Sequence, residues 1–185
     1  VQIQTTGTIA GNLCNASPAA DGVPPLLALD ASVELTSAAG TRMVPLSDFL
    51  TGVRKTELVK GELVTALTIP RSAGQGASAF LKLGARRYLV ISIAMVAARL
   101  SLQSGQIAST AIAVGACSPV AQRLGALEAY LTGMPIAQAA DAVTADLVLP
   151  SLSPIGDVRG DAAYRADAAV ELIQRAIRQI VGDMR

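Results

Sequence analysis

Histidine is absent from the 185 residues, and that absence removes more chemistry than any other feature of the composition. Without imidazole there is no His-based catalytic triad, no His metal ligand and no ordinary general base near neutral pH. Cysteine is almost as scarce. Cys14 and Cys117 stand far apart with no C-x-x-C pattern, so the chain alone cannot supply the four thiolates of an iron–sulfur cluster. Both are expected to be small buried hydrophobes. No sign of charge dominates, since 15 Lys and Arg face 14 Asp and Glu, so no field recruits nucleic acid or anionic lipid. Apolar runs are cut by Ser92, Arg99, Gly and Pro well before the ~18 residues of a membrane span. A soluble, cytoplasmic chain is therefore expected. Tryptophan is missing and aromatics make up 3% of a chain that is 51% hydrophobic. The aliphatic and alanine surplus points to close helix-on-sheet packing, with some surface buried against partners. Neither G-x-G-x-x-G nor G-x-x-x-x-G-K-[ST] occurs, which leaves out the Rossmann and P-loop fingerprints.

What the chain does have is a stretch of small residues, Thr8-Ile9-Ala10-Gly11-Asn12, that leads to Ser17-Pro18 and Asp21. Ala10 and Gly11 carry almost no side chain, so a bulky ligand can approach the backbone, and Gly can turn successive N–H groups onto one anion. The Thr8 hydroxyl and Asn12 amide bracket that spot. Ser17 before Pro18 is the usual order of an N-cap and a first helical residue, and it predicts a helix start whose free N–H groups face a phosphate. Asp21 then follows where a carboxylate can accept from sugar hydroxyls. The same spacing also suits an ordinary tight turn capping a helix.

Along the chain, Ser32–Thr36 and Thr41–Leu46 alternate as a hairpin about Ala38-Ala39-Gly40. Ser47 reads as the cap of a short helix, and Glu62–Ile69 as a strand stopped by Pro70. The polar, Gly-rich residues 71–78 mark a boundary, giving units 1–72 and 73–185. Beyond it, Ala79–Leu83, Ile91–Leu102 and Ile107–Ala116 predict a three-stranded antiparallel sheet with a turn at 103–106. Its alanines, Ala94, Ala97, Ala98, Ala111 and Ala113, imply close approach on both faces. Helices follow: one from Ser118-Pro119 through Leu124, Leu127 and Leu131, one over Ile136–Leu147, and a long one over Asp161–Val181. Strands before helices make the second unit α+β. Lys82 sits inside an apolar strand, where a charge needs water, an anion or a polar ligand edge. It is either an edge lysine reaching solvent or a cation facing a ligand. Arg86 and Arg87 face a phosphate, pair across an interface or are simply solvated. No residue stands out as a catalytic acid or base.

Three ordered motifs carry a resemblance. Gly7 to Asp21 with Pro24 to Ala31, Phe80 to Arg87 with Ile91 to Ala94, and Asp157 to Arg165 together resemble the FAD-binding medium subunit of molybdenum hydroxylases, the xanthine dehydrogenase and carbon monoxide dehydrogenase family. The resemblance implies the C-terminal half of a PCMH-type FAD-binding domain, followed by an α+β domain with a three-stranded antiparallel sheet covered by helices. The upstream half of the cradle, with another Gly-Gly loop, is expected to lie before Val1. It implies FAD as cofactor, with Thr8, Ile9, Ala10, Gly11, Asn12, Ser17, Asp21, Val64 and Lys82 as its binding residues and no metal ligand in this chain. Lys82 would approach the flavin ring, and Val64 would touch it through backbone and apolar contact. Molybdopterin and [2Fe-2S] clusters would sit in a large and a small partner subunit. Electrons would pass from the clusters through FAD to NAD, a quinone or another acceptor. Two departures stand out: Ala10 replaces the first glycine of a Gly-Gly pair, and Leu89 and Val90 stand where some relatives have two acidic residues. The second departure leaves the electron acceptor open. A stand-alone FAD oxidoreductase and a non-catalytic interaction fragment are the other two readings.

Overall fold

The computed structural model describes residues 6–184, so the first residues of the expected 1–72 unit lie outside it. The first unit holds α1 (Ile9–Cys14), α2 (Val23–Ala28), β1 (Ser32–Ser37), β2 (Gly40–Pro45), α3 (Leu46–Phe49), β3 (Leu50–Gly52), β4 (Lys55–Thr56) and β5 (Leu63–Thr68). β1 is the centre of an antiparallel sheet ordered β2-β1-β5. Its alternation sends Val33 and Leu35 into a core with Leu13, Leu26, Leu27 and Phe49, and leaves Glu34 and Thr36 on the other face. Gly40, at φ 134°, makes the turn into β2 possible. Ser47 is not a cap. Leu46 donates its N–H to Ala31 O at 2.9 Å and is buried with Phe49, so the helix begins one residue earlier and the Ser47 hydroxyl turns to Asp48.

The second sheet contains β6 (Ala77–Leu83), β7 (Ala94–Gln103), β8 (Gln106–Gly115) and a two-residue β9 (Gln122–Arg123), all antiparallel in chain order. Three long strands are as expected from the sequence. Ser104 and Gly105, both at positive φ (52° and 76°), close the β7–β8 hairpin with a two-residue turn. β9 is the reason Ser118-Pro119 starts no helix. The chain first pairs Gln122 and Arg123 with β8, and the Ser118 hydroxyl donates to Cys117 O and accepts from Ser153 N. Four helices follow: α4 (Gly125–Leu131), α5 (Ile136–Ala139), α6 (Ala145–Val148) and α7 (Ala162–Asp183). The single helix expected over 136–147 is broken because Ala140 and Val143 both enter the core, and Gln174 donates to the freed Val143 carbonyl at 2.9 Å.

Register sorts the second sheet into two faces. Ala79, Val96, Ala98, Ile112 and Val114 pack under Ala169, Ile173, Ala176, Ile177 and Ile180 of α7. Asp161 caps α7 by accepting from Tyr164 N at 2.7 Å. Tyr164 is half exposed, and its neighbour Arg165 is buried. On the opposite face Lys82 pairs with Met95 and Phe80 with Ala97, while Ala97, Ala111, Ala113 and Gly115 form a shallow floor. There α2 of the first unit lies, with Ala28 against Ala97 and Ala111. Two arginines of the second unit cap its end: Arg99 donates to Ala28 O at 3.0 Å and Arg123 to Leu27 O at 2.8 Å, and both bond Asp30. Of the two cysteines, Cys117 is buried, with its thiol pushed up to about 11 by burial. Cys14 is exposed, contrary to expectation, because it faces outward at the end of α1.

Two outcomes follow from this packing. A Cβ on Gly115 would lie 2.5 Å from Met95 Cε and 2.8 Å from Pro24 Cγ, so Gly115→Val should lose about 1–3 kcal/mol in chemical denaturation. In β2, Arg42 donates two hydrogen bonds to Glu62 and, with the Val59 N–H, holds that carboxyl down at about 2. A depressed folded-state value means the pair stabilises at neutral pH and is lost as pH falls below the ordinary carboxylate range toward 2. Carbon-detected NMR titration should show this, and Arg42→Met should return the Glu62 midpoint toward the ordinary range.

Candidate cofactor site

The segment from Thr8 to Asp21 is a capped helix followed by a tight return loop. Thr8 is the N-cap of α1, its hydroxyl accepting from Gly11 N at 2.9 Å. A Cβ on Gly11 would stand 3.0 Å from that hydroxyl, so glycine keeps the cap intact. Ile9, Ala10 and Gly11 form the first turn, which is open to solvent at Ile9 and Gly11 and has only a methyl group at Ala10. Asn12 does not face outward: its Oδ1 accepts from Gly22 N at 3.3 Å and folds the loop back onto α1. The β3–β4 turn adds a clamp, with Arg54 N donating to Ala16 O at 2.9 Å and its guanidinium donating to the side chain of Asn15.

Ser17 is a correction. It caps no helix, and its hydroxyl accepts from Ala19 N at 3.3 Å within a turn. The helix is displaced because Pro18 O accepts from Ala116 N at 3.0 Å, which fastens the chain to the second unit before α2 begins at Val23. The prolines at the start of α2, Pro24 and Pro25, serve as its opening residues.

Asp21 lies where the two units meet. Lys82 Nζ donates to Asp21 Oδ2 at 2.5 Å, and Ser92 Oγ donates to Oδ1 at 2.6 Å. The Lys82 side chain is 26% exposed and that of Asp21 48%. β6 presents Lys82 on the same face as Phe80, toward the first unit, while Ser92 comes from the link just before β7. Asp21 and Lys82 are 61 residues apart in sequence and were singled out separately. The fold brings them into one ion pair. Val64 is not part of it. It is half-buried in β5 opposite Leu35 and packs on the core that holds Leu13 of α1.

Arg86 and Arg87 shape their own link. Arg86 donates to Leu89 O, and the Arg87 guanidinium stacks 5.2 Å from the Tyr88 ring centroid. Two further polar residues escaped the sequence reading as site elements. Ser92 showed as a break in an apolar run and as a member of the second motif, with no role. Arg165 lay in a motif without a role, yet it donates to Ile93 O at 2.5 Å and Ala116 O at 2.9 Å, holding the ends of β7 and β8 behind the site. Among the described residues no cluster of His, Cys, Asp and Glu could hold a metal ion, and no helix is long and apolar enough to cross a membrane.

A family model for the FAD binding domain in molybdopterin dehydrogenase matches residues 1–72, and one for the CO dehydrogenase flavoprotein C-terminal domain matches residues 79–180. The chain belongs to the medium-subunit flavoprotein family of the molybdenum hydroxylases. Among its relatives, the nicotine 6-hydroxylase medium subunit of Paenarthrobacter nicotinovorans is 34% identical over 95% of this chain and 61% of its own. The glyceraldehyde dehydrogenase medium chain of Sulfolobus acidocaldarius is 31% identical over 97% of this chain and 63% of its own. A reconstituted CO dehydrogenase from Oligotropha carboxidovorans superposes with a TM-score of 0.87 at 31% identity, covering 96% of this chain and 62% of that one. The chain thus spans about three-fifths of the length of the family members it matches.

The Lys82–Asp21 pair is half open to water, so it should contribute little to stability. Lys82→Met is expected to shift the unfolding free energy by less than about 1 kcal/mol in urea melts. A much larger loss would make the pair a structural bolt and count against a ligand role.

Proposed function

We propose that this chain is part of the FAD-binding medium subunit of a molybdenum hydroxylase complex, with residues 1–72 as the FAD-binding unit and 73–185 as the flavoprotein C-terminal unit. One observation carries the reading: the carboxylate and the ammonium group, on different units, meet at one half-exposed point on a loop that Asn12 ties back to α1. The donor set fits a dinucleotide. Thr8, Ile9, Ala10, Gly11 and Asn12 offer main chain that nothing larger than a methyl group shields at positions 10 and 11, which suits a phosphate-bearing ligand. Asp21 offers an acceptor for sugar hydroxyls, and Lys82 a cation close by. Ser17 shapes the return loop that carries Asp21. Val64 adds an apolar contact from β5.

FAD held by Thr8, Ile9, Ala10, Gly11, Asn12, Asp21 and Lys82 would supply the redox chemistry that links [2Fe-2S] clusters of a small subunit to NAD, a quinone or another acceptor. This chain's residues bind, orient and set the field. Lys82 favours negative charge nearby, and its pairing with Asp21 limits how far that field extends. The hydroxylated substrate would meet only the molybdopterin-binding large subunit, and this chain offers no acid, base or metal ligand for that step.

Titration of the full-length subunit with FAD tests the reading. A yellow one-to-one complex is expected, with Asp21→Ala and Gly11→Val each weakening it at least about tenfold, a loss of ~1.4 kcal/mol. A subunit that stays colourless, or variants that bind as the parent does, would refute it. Isolation of the subunit with FAD but without a large and a small partner would favour a stand-alone oxidoreductase.

A further inference from the structure

Ser92 is 1% exposed. A buried hydroxyl is ordinarily satisfied by the nearest carbonyl, as Ser118 is by Cys117 O at 2.6 Å. Ser92 instead donates to Asp21 Oδ1 at 2.6 Å, 71 residues away in sequence and in the other unit. The main chain beside it is clamped. Ile93 N donates to Leu83 O at 2.8 Å, and Ile93 O accepts from Arg165 at 2.5 Å. Arg165 is itself 3% exposed and tied to Ala116 O and Asp157. A hydroxyl carried on such a backbone has its direction set before any ligand arrives.

Its acceptor is built the opposite way. The Asp21 side chain is 48% exposed, so a dry, rigid donor stands behind an open carboxylate. Lys82 occupies the other oxygen, but an ammonium on a four-carbon stem fixes charge without fixing orientation. With one donor on each oxygen the carboxyl plane cannot swing, and its remaining lone pairs only accept.

The geometry points to Ser92 as a positioning residue that orients Asp21 as a fixed acceptor for the hydroxyl-rich part of the dinucleotide. This rests on the FAD reading above. Ser92 touches no reacting group and acts through Asp21.

The test uses the flavin-loaded complex and measures FAD affinity by the fluorescence of released flavin. Ser92→Ala is expected to bind FAD about tenfold more weakly, the scale of a hydrogen bond to a charged group. Ser92→Thr should restore affinity, because the cavity of about 120 Å³ that Ser92 lines has space for one more methyl group. On an Asp21→Ala background, which removes the acceptor, Ser92→Ala should cost nothing further, whereas a purely structural serine would give losses that add. Ser92→Cys, which keeps size and loses most donor strength, should show the same tenfold loss and carries the test if the alanine variant folds poorly. Parent-like affinity in Ser92→Ala or Ser92→Cys, or additive losses in the double variant, overturns the proposal and leaves the FAD reading standing. Full affinity in Asp21→Ala overturns both.

Discussion

The closeness with which α2 lies on the Ala and Gly floor of the second sheet is the constraint on which the rest depends. Helix and sheet backbones approach this nearly only where side chains are a methyl group or nothing, and Ala97, Ala111, Ala113 and Gly115 supply that floor. A tight contact of this kind has few alternative arrangements. It therefore determines where the loop entering α2 must run, and Asp21 is on that loop, two residues before the helix. Arg99 and Arg123 secure the far end of the same helix by donating to its last carbonyls, Ala28 O and Leu27 O.

Charge at the site is organised around neutrality. Lys82 and Asp21 cancel at short range, and Ser92 adds a donor without adding charge. Such a trio keeps a carboxylate directed while projecting little field into solvent, which suits binding and orientation. The lack of histidine agrees with that division of labour. Any metal chemistry of the proposed complex would belong to other chains.

Much of this was legible from residue order. β1, β2, β5 and the three long strands of the second sheet follow from alternation bounded by Gly and Pro, and α7 from the long helix expected over Asp161–Val181. Asp21 and Lys82 were legible one at a time, as a carboxylate after small residues and a cation in an apolar strand. Their pairing was not, because a contact across 61 residues is a product of tertiary packing. Caps read from Ser-Pro pairs failed twice, at Ser17 and Ser118, for one reason. In one place a backbone bond to the other unit, and in the other a strand pairing, drew the segment away from a helix start. Ser92 and Arg165 stood inside quoted motifs, but their roles were not legible, because the carboxylate and carbonyls they bond are brought to them only by tertiary packing.

Arg165 bears on the order of assembly. It belongs to the last helix, yet it holds carbonyls at the start of β7 and just past the end of β8, and α7 covers a whole face of their sheet. During synthesis the sheet therefore emerges before the helix that covers it, and it remains unfinished until α7 follows. The floor that receives α2 is made of those same strands, so the first unit docks onto a surface that only α7 completes.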